Sequence, residues 1–445
     1  MPGPRSAALA ARLRSVESRN ITHVDAQHPI FWQEARGAVV RDVDGNDYVD
    51  LTAGFGVAMA GHANPRVAAA IARQAALLPH ALGDVHPAAV KVALLEALAR
   101  LTPGDLSVAI LASAGAEAVE AALKTALLRT GRPGVLAFEG AYHGLTYGAL
   151  SATWRADFRN PFLPQLFQGV RFAPFPEAGA ETAVAAAAIA AVERLIDEAE
   201  RGPWPIGAIL AEPVQGRGGL VVPPPGFVPA LRALCDGRTR LLILDEVYTG
   251  FGRTGRWFAC EHWGVVPDVL VVGKALGGGL PISAAVGTPE VMSAWPESDG
   301  EAIHTSTFLG NPVACAAALA QIQAIEEGRL VERAARLGTW MAERAGGWPQ
   351  KFPWVARARG IGLLQAVVIR DYGGVTARER ALRVADEALR RGILVLAEGS
   401  GLEVLALTPP AVISEAQLEF ALNGIEAAFA AGGERDREPG AGGGY

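Results

Sequence analysis

Only three cysteines, Cys235, Cys260 and Cys315, are spread through 445 residues. Their number is odd and their spacing is not that of metal ligands. This argues against a disulfide scaffold, offers no metal site, and leads us to expect a reducing, cytoplasmic setting. Positive charge is also short: 40 Lys and Arg stand against 46 Asp and Glu, for a net charge of −6. Nucleic-acid binders carry a basic surplus, so that class loses its main support. No apolar run reaches the about 18 residues of a membrane span. The alanine-rich stretch 183–191 is soon followed by Glu193 and Asp197, and reads as a surface helix. Met1 to Arg14 contains arginines but lacks the long apolar core of a secretory signal. No internal repeat is visible.

Half of the residues are hydrophobic, enough for a large core and two domains. The informative stretch runs from Leu241 to Gly279. Two short apolar runs, Leu241–Leu244 and Val269–Val272, are bounded by charge or glycine and read as buried parallel strands. The first delivers Asp245, Glu246 and Val247; the second delivers Gly273 and Lys274 before Gly277, Gly278 and Gly279. Ligands bind at the carboxyl ends of strands in open parallel sheets. An acid and a lysine at neighbouring strand ends suit pyridoxal phosphate. The lysine forms an imine with its aldehyde, and the acid keeps its pyridine nitrogen protonated.

Other apolar runs end in the same manner. Val108–Leu111 leads to Ser113-Ala114-Gly115-Ala116 and then a helix from about Glu117 to Leu128, a strand–turn–helix unit suited to an anion. Gly134–Phe138 leads to Tyr142-His143-Gly144, and Ile206–Leu210 to Glu212-Pro213-Val214-Gln215-Gly216. Helices fill the intervals, so the fold class is α/β, a doubly wound, mainly parallel sheet. Before it, residues 1 to about 20 read as a loosely held helix and Ile30–Leu51 as a hairpin turning at Asp42–Asp47. Helices are expected at Arg66–Leu78 and Ala88–Arg100, and, past the polar loop His304–Pro312, at Val313–Glu327 and on to about Ala345. The C-terminal part reads as a smaller α+β domain. It has strands at Gly362–Ile369, Ile393–Ala397 and Leu402–Leu407, a helix near Thr376–Arg390, and a closing helix, Ser414–Ala430. The expected division is 1–55 as the N-terminal segment of the small domain, 56–330 as the large domain, 331–431 as the C-terminal small domain, and a disordered, glycine-rich tail at 432–445.

Taken together, these motifs resemble the class III aminotransferases, pyridoxal phosphate enzymes of fold type I. The resemblance extends from Asp42 to about Glu426. It rests on Val43–Asp50, Ser113–Ala118, Tyr142-His143-Gly144, Glu212–Gly216, Asp245-Glu246-Val247, Gly250–Gly255, Lys274 with Gly277-Gly278, and Ser306-Thr307 before Gly310-Asn311-Pro312. It implies that Lys274 forms the internal aldimine and that Asp245 pairs with the pyridine nitrogen. Val247 and Tyr142 pack on the two ring faces, with His143 in support. Ser113, Gly115 and Ala116 hold the phosphate, and Glu212 lies beside the substrate. Thr307 reaches the cofactor phosphate of the neighbouring subunit in a homodimer. The partners implied are a small-molecule amino donor and a 2-oxo acid, with neither nucleic acid nor membrane.

Two departures bear on function. Ala114 and Ala116 stand where the family has hydroxyl donors, leaving Ser113 and the backbone to hold the phosphate. Members that act on ornithine or 4-aminobutyrate have a carboxylate-binding arginine three residues before a Pro-Pro pair; here Pro409-Pro410 is preceded by Ala406. Arg217 is one candidate replacement and Arg155 another. The same family contains amino-acid racemases and epimerases, and its fold also occurs in non-catalytic regulators that bind the cofactor. Those regulators carry a basic DNA-binding module, and none is visible here. The intact Lys274 and Asp245 argue against a regulator and are shared with the racemases; transfer of an amino group is the first reading the resemblance gives.

Overall fold

The structure, a computed structural model, describes residues 3–25, 28–178, 182–236 and 240–434. Fifteen strands occur among them: β1 (Trp32–Arg36), β2 (Val39–Asp42), β3 (Asp47–Asp50), β4 (Val108–Ala112), β5 (Gly134–Phe138), β6 (Val170–Ala173), β7 (Ile206–Ala211), β8 (Leu241–Glu246), β9 (Val269–Val272), β10 (Ser283–Gly287), β11 (Val355–Ile361), β12 (Leu364–Ile369), β13 (Ile393–Leu394), β14 (Leu396–Glu398) and β15 (Val404–Leu407). The central sheet has seven strands in the order β4-β10-β9-β8-β7-β5-β6. The neighbours β9, β8, β7, β5 and β6 run parallel. Strand β10 is antiparallel to both β9 and β4. Strand β4 therefore points the same way as the others, and the carboxyl ends of β4, β5, β7, β8 and β9 share one edge.

Both faces of this sheet are covered, which is why its strands read as continuous apolar runs rather than alternating ones. Ile243, Val269 and Val271 pack with Ala118, Val119 and Ala122 of the helix Gly115–Thr130. The alternate residues Leu242, Leu244, Leu270 and Val272 belong to the main core, with Leu94, Leu98, Phe227 and Ile322. Helix starts follow local chemistry. Asn64 accepts from the amides of Arg66 and Val67, with Pro65 at the first helical position; Asn311 does the same for Val313 and Ala314 before the helix Pro312–Glu327.

Strands β6, β10 and β11 lie beyond the expected set. β10 is Ser-Ala-Ala-Val-Gly, small residues with little strand signal of their own, and its place comes from pairing on both sides. The hairpin expected at 30–51 is a three-stranded meander, with Gly37 in the left-handed region (φ +59) between β1 and β2. The expected single strand Ile393–Ala397 is divided at Val395. β13 pairs in parallel with β3, and β14 pairs antiparallel with β15, so this short stretch serves two four-stranded sheets, β1-β2-β3-β13 and β11-β12-β15-β14. The opening helix spans Pro4–Val16 and is not loosely held at its start: the Arg5 and Ser6 amides donate to the Asp44 carboxylate. The closing helix Glu415–Glu434 runs past the expected tail boundary at 432. It begins with the reciprocal pair Ser414–Gln417, and residues 435–445 lie outside the described residues. No helix among the described residues is long and apolar enough to cross a membrane.

Candidate active site

The aligned strand ends open on one cavity of about 520 Å³. Its walls include Ser113, Gly115 and Ala116 after β4, Tyr142, His143 and Gly144 after β5, Glu212 and Arg217 after β7, Asp245, Val247 and Tyr248 from the end of β8, and Lys274 after β9. Almost every residue expected at the site from sequence is therefore in one place. Thr307 is the exception: it is exposed and does not line this cavity within the chain.

The pleat of β8 separates two adjacent acids. Asp245 faces the cavity. Glu246 turns away and is fully buried, accepting from the amides of Ala259 and Cys260 and from the Thr249 hydroxyl. Asp245 is held by the Val247 amide at 3.0 Å and by Nδ1 of His143 at 2.7 Å. His143 is itself buried, and its Nε2 has no hydrogen-bond partner. With Nδ1–H donating, Asp245 remains an acceptor toward the cavity.

Glu212 is tied at both oxygens, to the amides of Tyr142 (3.2 Å) and Gly216 (3.1 Å). Burial pushes its carboxyl up to about 7, with Asp245 adding to the rise. Lys274 carries a non-glycine backbone at φ +40, in the sparsely populated left-handed region where strain collects at functional sites. Burial lowers its ammonium to about 8, against the pull of Asp245, Glu212 and Glu398. A neutral amine is thus within reach near neutral pH.

The phosphate end is built from backbone. Helix Gly115–Thr130 begins at Ala114 without a side-chain cap, so its first amides are left for an anion. The turn is tight. A Cβ on Gly115 would lie 3.0 Å from Val247 Cγ1, and one on Gly144 (φ +128) 2.5 Å from the Ala116 Cβ. An uncapped helix start, an acid held as acceptor and a desolvated lysine around one cavity fit a phosphorylated pyridine aldehyde.

The family profile for class III aminotransferases matches residues 21–429. The chain belongs to the class III aminotransferases. Among its relatives is a putrescine aminotransferase of Pectobacterium atrosepticum, 39% identical over 394 residues, covering 87% of this chain and 80% of the relative. Among solved structures, an amine transaminase from an uncultivated Pseudomonas species in its PLP-bound form superposes with a TM-score of 0.86 at 30% identity, over 94% of this chain and 98% of that one. The ornithine aminotransferase of Toxoplasma gondii superposes at 0.85 with 31% identity, over 97% and 96%. The chain is accordingly a fold type I, pyridoxal-phosphate-dependent aminotransferase, and transfer replaces the racemase and regulator alternatives.

Of the two arginines considered from sequence, only Arg217 lines the cavity. Its guanidinium lies 5.0 Å from the Tyr142 ring centroid, its Nε is buried without a hydrogen bond, and its one ion pair is a long one, 3.8 Å to Glu398. Arg155 is engaged by Asp157 at 3.1 and 2.6 Å and lies outside the lining. Ala406 is buried in β15 opposite Ala366. Sequence reasoning missed Tyr248, Val57 and the segment Leu280-Pro281-Ile282, all of which line the cavity. For Tyr248 a signal existed, since it directly follows the Asp245-Glu246-Val247 motif.

Proposed function

We propose that Lys274 carries the cofactor and moves the proton, that Asp245 keeps the ring nitrogen protonated, and that Arg217 receives the carboxylate of the 2-oxo acid acceptor. The observation that carries this reading is the convergence of Lys274, Asp245 and Arg217 on one cavity beside an uncapped helix start. When bound, pyridoxal phosphate supplies an aldehyde for the amine nitrogen and an electron sink for the adjacent carbon. The first amides of helix Gly115–Thr130, with Ser113, would hold the phosphate, and Tyr142 and Val247 would confine the ring. The neutral amine of Lys274 would take the proton from the amine-bearing carbon of the donor and hold it within the cavity. Glu212 orients the turn after β5 through the Tyr142 amide. Arg217, set among the rings of Phe55, Tyr142 and Phe158 with its ion pair to Glu398 at 3.8 Å, forms charge-assisted hydrogen bonds to a carboxylate.

The donor in this proposal is a primary aliphatic amine of the diamine kind. It is supported by the apolar wall of Val57, Leu145, Leu280 and Ile282, by Ala406 in place of a second carboxylate-binding arginine, and by the relative that is a putrescine aminotransferase. The protein works as a homodimer in the cytoplasm, with Thr307 reaching the partner's cofactor phosphate. The exposed Ile303 and Phe308 beside Thr307, and three buried free thiols, support this part. The division into 1–55 with 331–431, and 56–330, belongs to the same proposal.

Purified enzyme tests the proposal with a panel of diamines, monoamines and amino acids, with and without 2-oxoglutarate or pyruvate, followed by chiral chromatography. Oxo-acid-dependent product from diamines is expected, and Lys274→Ala abolishes both turnover and the borohydride-fixed cofactor. Turnover retained by Lys274→Ala sinks the mechanism; enantiomer formation without oxo acid would restore the racemase reading.

A further inference from the structure

Tyr248 has no part in the assignments above, yet Nζ of Lys274 lies 3.8 Å from the centroid of its ring. An ammonium over an aromatic face at this distance is attracted by the ring quadrupole, and more strongly where water is excluded. The ring is fixed in place. A Cβ on Gly56 would lie 2.4 Å from its Cε2 and one on Gly216 2.3 Å from its Cδ1, so two glycines clasp its opposite edges. Its hydroxyl points to Thr408 Oγ1, 3.4 Å away on the C-terminal side. Gly56 itself is anchored, its carbonyl accepting from Arg253, which is fully buried and also donates to the Thr408 and Pro409 carbonyls. Burial pushes the Tyr248 phenol up to about 12, so the ring stays neutral. The charged groups around Nζ are Asp245, Glu212 and Glu398, which favour the ammonium, and Arg217, which opposes it. Among the described residues no hydrogen bond or ion pair places a carboxylate oxygen on Nζ, and the aromatic face is the contact that fixes its position.

We propose that Tyr248 is a positioning residue whose ring face is the resting place of the Lys274 ammonium, returning Nζ to one point of the cavity between proton transfers. The inference rests on Lys274 being the reactive lysine. While the Lys274 amine is free of the cofactor, the contact holds its protonated form, and release of the proton frees Nζ from the ring. The attraction offsets part of the desolvation that favours the neutral amine.

The chain has four lysines, Lys91, Lys124, Lys274 and Lys351, so enzyme labelled with ¹³C at lysine Cε gives few resonances. The signal absent from Lys274→Ala identifies Lys274. Full-length enzyme carrying the amino form of the cofactor, in which the Lys274 amine is free, is titrated with Tyr248→Phe and with phenylalanines bearing one, two and three ring fluorines at position 248. Fluorination weakens the quadrupole and changes shape little. The expected result is a stepwise fall of the Lys274 pKa, about one unit across the series, with Tyr248→Phe close to wild type. A flat series, or a shift as large in Tyr248→Phe as in the trifluoro variant, overturns the proposal. A flat series with Lys274→Ala inactive fails this inference alone, whereas an active Lys274→Ala fails the reading beneath it. The same titration of Tyr248→Leu, expected to match the trifluoro variant, covers poor incorporation of the fluorinated residues.

Discussion

Nδ1 of His143 lies 2.7 Å from Oδ2 of Asp245, both side chains buried, at the ends of the strands β5 and β8, which flank β7 in the sheet. This pair sets which way the carboxylate points and leaves it an acceptor for a protonated ring nitrogen. Replacing His143 with Ala leaves a buried carboxylate short of one donor, a loss of about 1–3 kcal/mol. The expected outcome is a fall in kcat of about tenfold or more by that figure and weaker retention of the cofactor on dialysis. His143→Asn, which keeps a donor, recovers part of both. Steady-state kinetics and cofactor absorbance are the measurements; wild-type values for His143→Ala would remove the role.

Glu212 predicts a pH dependence of stability. Its carboxyl is raised by burial from an ordinary 4.5 to about 7. Between these values the folded chain holds a proton that the unfolded chain has released. The stabilisation is therefore complete below about 4.5 and lost as pH climbs through about 7. The lost amount is roughly 3 kcal/mol at most. Urea denaturation of Glu212→Gln across this window should show a shallower decline than the wild type. Identical slopes would mean that Glu212 is ionised throughout.

For Arg217, the split between substrates is the test. Arg217→Ala should raise the KM of the 2-oxo acid by roughly ten- to a hundredfold, the cost of a charge-assisted hydrogen bond. The KM of a diamine donor, which has no carboxylate, should change little. An equal loss for both substrates would mark Arg217 as part of the wall.

Lys274 is lowered to about 8, chiefly by burial. The neutral amine is the nucleophile, so uptake of pyridoxal phosphate by the cofactor-free enzyme should slow about tenfold per pH unit below that value. Stopped-flow absorbance from pH 6 to 9 reads this directly. A rate independent of pH across the range would show that the amine is already neutral or that another step limits uptake.

Much of the site was legible because its chemistry sits at strand ends, and strand ends are marked locally. An apolar run that stops at Asp245, or at Gly273-Lys274, announces itself within a few residues. The helices starting near Arg66 and Val313 were legible from local periodicity in the same way. What lay hidden depends on distant partners. Strand β10 has little strand character of its own and exists because β4 and β9 leave a slot between them. Val395 divides one apolar run between two sheets because β3 claims one half and β15 the other.

The sequence by itself determined the α/β order and put an acid, a lysine and a glycine turn at strand ends, since residue type within each strand–turn unit is local, and the resemblance of these motifs to the class III aminotransferases pointed to the cofactor. Only the tertiary structure decided how they face one another. It turned Asp245 into the cavity and Glu246 out of it, set Arg217 across from Glu398, and laid Lys274 on the ring of Tyr248. These relations join residues far apart in the chain. They follow from strand order, pleat and the close approach that Gly56 and Gly216 permit, none of which is encoded in a local run of residues.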